Sequence, residues 1–265
     1  MKELKFNIRY ILNKKELYFS FIVVMMICFV QVLMIIQRSD YFEFCDTSEY
    51  LVLLTNSVED LSPALILVMP VVTALIMSDS SWLDRKRKTE VMLSVRLDCK
   101  KNIIVRWFLS FLITFLLVFI SLMINYIVLR MIFGSGNKFV LNQSMAFNLT
   151  GVPQLFLDDL RMSDPVLYTI VTSGHVAFIL GLLSSLSYSL SFYVKQRLVL
   201  YFQVLLIMFG YEIVSSFLGF ENISIIKQLQ IMSFFTLSDA AILYLILLVF
   251  SISLLIISLR REVIL

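Results

Sequence analysis

Asp79-Ser-Ser-Trp-Leu-Asp-Arg-Lys-Arg-Lys-Thr-Glu-Val-Met-Leu-Ser-Val-Arg-Leu-Asp-Cys-Lys-Lys-Asn-Ile-Ile-Val-Arg106 lies between two long apolar runs and carries eight of the chain's 22 Lys and Arg. Around it, 60% of the 265 residues are hydrophobic and only 15% are charged. A soluble domain carries about 25% charged residues. So large an excess of apolar side chains has no soluble core to fill, and a bilayer is the solvent that suits it. Gly (7) and Pro (4) are scarce, which favours long uninterrupted helices.

Crossing the hydrocarbon core takes roughly 20 apolar residues in a helix. Six segments meet that need: Leu17–Ile36, Leu61–Met77, Trp107–Leu129, Val166–Val194, Leu198–Leu218 and Asp239–Leu259. The first starts late, runs a full span and lacks a small-x-small pattern after it, so it reads as a span rather than a cleaved signal. Pro63 sits where a helix starts and Pro70 sits mid-span, where it predicts a kink. Asp164 followed by Pro165 predicts an N-cap and first helical position for the fourth span.

The distribution of Lys and Arg sets the orientation. With the N-terminus inside, 17 of the 22 fall on the cytoplasmic side; the other five are Arg38, Arg130, Lys138, Arg161 and Lys227. The expected architecture is therefore an all-α membrane protein with six transmembrane helices. It is expected to be a single transmembrane unit over residues 1–265, with both termini cytoplasmic in the plasma membrane.

Three further segments read as lying on or dipping into the membrane. In residues 2–16, Leu4, Ile8, Ile11 and Leu12 share one helical face, with Lys5, Arg9, Lys14 and Lys15 mostly off it. This predicts a basic amphipathic helix at the inner leaflet. Phe220–Ser238 is too apolar for a simple outer hairpin and predicts one or two short re-entrant helices. The outer loop 134–164 is long enough for a small cap and too short for a folded domain.

Within the charged stretch, residues 84–95 fit a short helix. Arg87 and Glu90 stand at i, i+3 and can pair, while Val91, Met92 and Val95 form an apolar ridge. The order of Asp84 and Arg85, then Glu90, the Met92-Leu93 pair, Arg96, and Lys100-Lys101 leading into Arg106 resembles the cytoplasmic loop of ABC-2-type exporter permeases. Thr89 stands where that family often has Gly. The plan of an amphipathic N-terminal helix, six spans and re-entrant helices before the last span is similar as well.

The resemblance implies that residues 79–106 form a coupling helix seated on an ATPase, with Asp84, Arg85, Arg87, Glu90, Met92 and Arg96 at the contact. It implies two ABC ATPase subunits as partners and a second permease, identical or related, completing the pathway. ATP and Mg would sit on the ATPase, with no cofactor in this chain. The cargo would be a hydrophobic or amphipathic molecule, such as an antimicrobial peptide or a lipid-like compound.

Catalytic motifs are missing. None of the seven glycines opens a P-loop. His175 is the one histidine, and Ser184 and Ser185 lack the glycine setting of an intramembrane serine protease. The run Ser184–Ser191 reads as close helix packing or a polar lining. Glu212 is the one acid well inside a span, facing protein, a cavity or the outer interface. His175, Ser185 and Glu212 are therefore the candidate pathway residues. Cys28, Cys45 and Cys99 fall at different depths, so neither a disulfide framework nor a metal site is expected. The rival reading is a non-transporting six-span immunity or sensory protein that binds a peptide outside. No nucleic-acid partner is expected.

Overall fold

Asp164 and Pro165 start a helix as their order predicts: the Leu167 N–H donates to Asp164 Oδ1 at 3.0 Å, and the missing N–H of proline costs nothing at that position. The computed structural model describes residues 2–37, 62–86, 98–133, 157, 160, 164–194, 196–229 and 235–262. Its helices are α1 (Lys2–Leu12), α2 (Lys15–Gln37), α3 (Ser62–Leu75), α4 (Ser80–Lys86), α5 (Cys99–Phe133), α6 (Pro165–Leu190), α7 (Arg197–Phe217), α8 (Ile225–Leu229) and α9 (Leu237–Glu262). A 3-10 turn, Glu221–Ile223, precedes α8. Among the described residues there is no strand.

Among the described residues, five helices are long and apolar enough to cross a membrane: α2, α5, α6, α7 and α9. They turn large apolar side chains outward, among them Phe217, Met131 and Leu206. So wide an apolar exterior suits lipid rather than water. The chain is thus an all-helical, multi-pass membrane protein. The expected second span is the exception. Its apolar run forms a helix of only 14 residues, α3, about 21 Å long at 1.5 Å per residue. The chain then leaves helical geometry at 76–79 and re-forms a helix at Ser80.

α5 departs from expectation in the other direction. It starts eight residues before Trp107, taking in Lys100, Lys101 and Arg106. The local cause is Asp98, whose Oδ1 accepts from the Lys100 N–H at 3.1 Å while Oδ2 pairs with Lys101 at 3.2 Å. Those bonds, led by the Lys101 ammonium, hold the exposed Asp98 carboxyl below the usual carboxylate range. At 35 residues α5 is about 52 Å long, well beyond a hydrocarbon core of roughly 30 Å.

Side-chain contacts fix the helix directions. Lys14 meets Asp79 and Ser20 meets Val72, so α2 and α3 run antiparallel. Ser184 meets both Thr73 and Ser110, which puts Ser20 and Ser110 at one level, and Gln31 meets Asn125, so α2 and α5 run parallel. His175 meets Tyr244 and Ser185 meets Ser251, so α6 and α9 run parallel.

α6 is the central helix. Of its apolar window 61% is buried, against 28–39% for the other four long helices. It touches α3, α5, α7, α8 and α9. Small residues permit this. A Cβ on Gly181 would lie 3.0 Å from the Phe111 ring and 3.1 Å from its carbonyl oxygen, so α5 and α6 pack backbone to backbone there. Hydroxyls fill the same seam. Ser110 and Ser184 share a bond of 2.9 Å, and Thr114 donates to Ser184 Oγ at 3.0 Å. Trp107 Nε1 donates to Ser251 Oγ at 2.8 Å, and Gln203 Nε2 donates to the Ser187 carbonyl and hydroxyl, both at 2.9 Å.

Candidate functional site

The polar groups gather at two ends of the bundle. At the first end α1, the break between α3 and α4, and the start of α5 come together. α1 places Asn7 and Ile11, with Lys14 just past its end, against the bundle, and leaves Leu4, Ile8 and Leu12 exposed. The expected apolar face therefore loses Ile11 to the protein. Lys14, expected in water, is buried.

The break explains that burial. Ile76, Met77, Ser78, Asp79 and Ser80 are all 0% exposed. Buried carbonyls at an interrupted helix need partners. The turn supplies some itself, Ser78 N–H to the Ala74 carbonyl at 3.2 Å and Ser80 N–H to that of Met77 at 3.1 Å, and other elements supply more. Ser20 Oγ donates to the Val72 carbonyl at 2.9 Å, and Ser184 Oγ to the Thr73 carbonyl at 3.3 Å. Lys14 Nζ donates to the Ile76 carbonyl at 3.2 Å and pairs with the Asp79 carboxylate. Three elements, α2, α6 and the α1–α2 junction, thus complete one interrupted helix. Thr73 Oγ1 also donates to the Met69 carbonyl at 2.9 Å, one turn after Pro70.

A second buried group ties α1 to α5. Arg106 Nε donates to Asn7 Oδ1 at 2.9 Å, and Asn7 Nδ2 donates to Asn102 Oδ1 at 2.7 Å. The Arg106 guanidinium lies 5.4 Å from the Tyr10 ring centroid and the Lys14 ammonium 5.7 Å from it, both within cation–π range. Both flanks of the charged stretch, Asp79 on one side and Asn102 with Arg106 on the other, are therefore anchored to the same short N-terminal element.

At the opposite end, three long helices hold the segment between α7 and α9. Glu212 on α7 accepts from Ser224 Oγ at 2.6 Å and from the Ile226 N–H at 2.9 Å, satisfying the first turn of α8. Tyr211 donates to the Ile223 carbonyl at 3.1 Å. His175 Nε2 lies 3.2 Å from the Gln228 carbonyl, Nδ1 bonds the Tyr244 hydroxyl, and the ring stacks on Phe235 with centroids 5.4 Å apart. Outside the spans, Lys227 pairs with Glu221 at 2.8 Å and holds that exposed carboxyl below its usual range.

The structure brings His175 and Glu212 to one segment, although from different helices. Ser185 stands apart from them, fully buried, 3.2 Å from the Ser251 hydroxyl. Asp84 and Arg85 fall in α4, which begins four residues before the expected helix; their side chains lie outside the described ones. Arg87, Glu90, Met92 and Arg96 lie outside the described residues, as does Cys45. Among the described residues no group of three or more His, Cys, Asp or Glu is placed to hold a metal ion.

The sequence reading missed the set formed by Asn7, Lys14, Asp79, Asn102 and Arg106. A usable signal existed: Asn7, Ile11 and Lys14 repeat at i, i+4, i+7, a stripe of its own beside the apolar one. Compared with protein-family models, curated proteins and solved structures, the chain matches none.

Proposed function

We propose that this chain is the membrane-spanning subunit of an ATP-driven exporter of the ABC-2 type, with hydrolysis on a separate ATPase and residues 79–106 as the segment that receives the force. The supporting observation is the shared anchoring of that segment. Asp79 precedes it, Asn102 and Arg106 end it, and all three bond to α1 or the residue just past it. A push on the segment would reach α3, α5 and α1 together, because bonds between buried polar groups do not yield one at a time. α6 would then carry the displacement to the opposite end, where His175 bonds the segment before α9.

In this reading α3 and the break complete a sixth crossing, α1 lies along the inner leaflet, and the 221–235 segment faces outward. Two such chains, or one with a related permease, would enclose the pathway for an amphipathic cargo in the plasma membrane. Glu90→Lys and Met92→Ala test the force-receiving role. Each is expected to lower stimulation of the ATPase at least about tenfold while membrane insertion stays unchanged. Normal complex formation and turnover in both variants would refute that role.

A further inference from the structure

The break at 76–79 combines two features that seldom occur together: an interrupted helix and complete burial. Of the outside groups that complete it, Ser20 and Ser184 are neutral hydroxyls on long helices. Lys14 alone among them carries charge. It comes from the junction of α1 and α2, and it touches both the Ile76 carbonyl and the Asp79 carboxylate. Its side chain is 7% exposed and that of Asp79 is 0% exposed.

We propose that Lys14 is a lock on this break, a conformational device built into the fold. With the ammonium in place, residues 76–79 keep their turn and α4 is fixed to the bundle. When α1 withdraws, the break is freed to rearrange and α4 moves. Each charge stabilises the other while both are buried, so the pair separates most readily when both reach water together. That makes the device two-state rather than gradual. α1 acts as its lever, since Asn7, bonded to Asn102 and Arg106, sits two helical turns from Lys14 on the same protein-facing side. The inference needs no ATPase: any partner that pulls on α1 or α4 would work the lock.

Thiol accessibility in open membrane fragments tests it. The full-length chain carries Met77→Cys, or Leu180→Cys as a core control, with the native cysteines replaced, and is exposed to a membrane-impermeant maleimide. With Lys14 and Asp79 intact, both positions should label slowly, because both side chains are buried. Lys14→Gln, Asp79→Asn and the double variant should each speed labelling at Met77→Cys by at least about tenfold, a local opening, and leave Leu180→Cys protected. The double variant removes both charges of the pair together, so it provides a folded comparison if either single variant fails to accumulate. Parental protection in the double variant would mean that the pair only neutralises charge, and would overturn the proposal. Equal acceleration at Leu180→Cys would mean global loosening, and would overturn it too.

Discussion

At the α1 end, side chains from three separate elements converge on one interrupted helix at full burial, and the central contact is an ion pair. At the α8 end, His175, Tyr211 and Glu212 reach from long helices to a short segment whose leading residues, Glu221 and Asn222, are exposed. Both ends satisfy non-helical backbone with side chains. They differ in how much water is excluded: the polar groups of the α1 end are all buried, whereas at the α8 end Tyr211 and Glu212 are half-buried, although His175 and the Gln228 it bonds are buried. Where water is absent, losing one partner strands a charge or a carbonyl; where water is near, it substitutes. The α1 end should therefore be brittle and cooperative, and the α8 end compliant.

The largest effect should come from cutting the ion pair on one side. Lys14→Met removes the ammonium from the buried Asp79 and from the Ile76 carbonyl, with an expected loss of about 3–5 kcal/mol, read as a fall in melting temperature in detergent micelles. Gly181→Leu should follow, at about 1–3 kcal/mol, by forcing α5 and α6 apart at Phe111 in the seam that joins the two ends. Asn7→Leu should cost a similar amount, about 1.5–3 kcal/mol, because Arg106 and Asn102 both lose it. At the α8 end, His175→Phe keeps the stacking on Phe235 and loses only hydrogen bonds, for about 0.6–1.5 kcal/mol. A His175→Phe loss as large as that of Lys14→Met would erase the contrast between the ends.

The smallest effect sits on the exposed pair. Lys227 lowers the Glu221 carboxyl below its unfolded value, so the stabilisation is present at neutral pH. It fades as pH falls below the usual glutamate range, near about 4.3, and through the lower folded value. Glu221→Gln should leave the melting temperature at pH 7 nearly unchanged and flatten its acid dependence. A clear shift at pH 7 would mean that this pair anchors the α8 end.

Particular elements show what the sequence discloses. Apolar length alone locates α2, α6, α7 and α9 to within a few residues, because each needs only a continuous greasy run. Asp164 and Pro165 signal their helix start through purely local chemistry. The break after α3 is not marked in the run Leu61–Met77: Pro70, which predicts a kink, stays inside the helix, and the interruption six residues on is stabilised by Ser20, Ser184 and Lys14 from far away in the chain. The early start of α5 is hidden for a related reason. Lys100, Lys101 and Arg106 look like loop residues until Asp98 caps them and Asn7 receives Arg106. Glu212 stands out as an acid within a span, yet its role in satisfying α8 depends on a segment twelve residues on. Charge counts place a lysine on one side of a membrane; they do not tell a solvated lysine from one that completes a broken helix.

The most direct test of the functional reading is composition and turnover of the complex taken intact from its own membrane. A tagged chain extracted in mild detergent should carry an ABC-type ATPase in fixed ratio, with Mg-ATP hydrolysis that drops when residues 84–96 are replaced by a neutral linker. The chain purifying alone at full stability, with no ATP turnover and with saturable binding of an external peptide, would contradict it and favour an immunity or sensory protein.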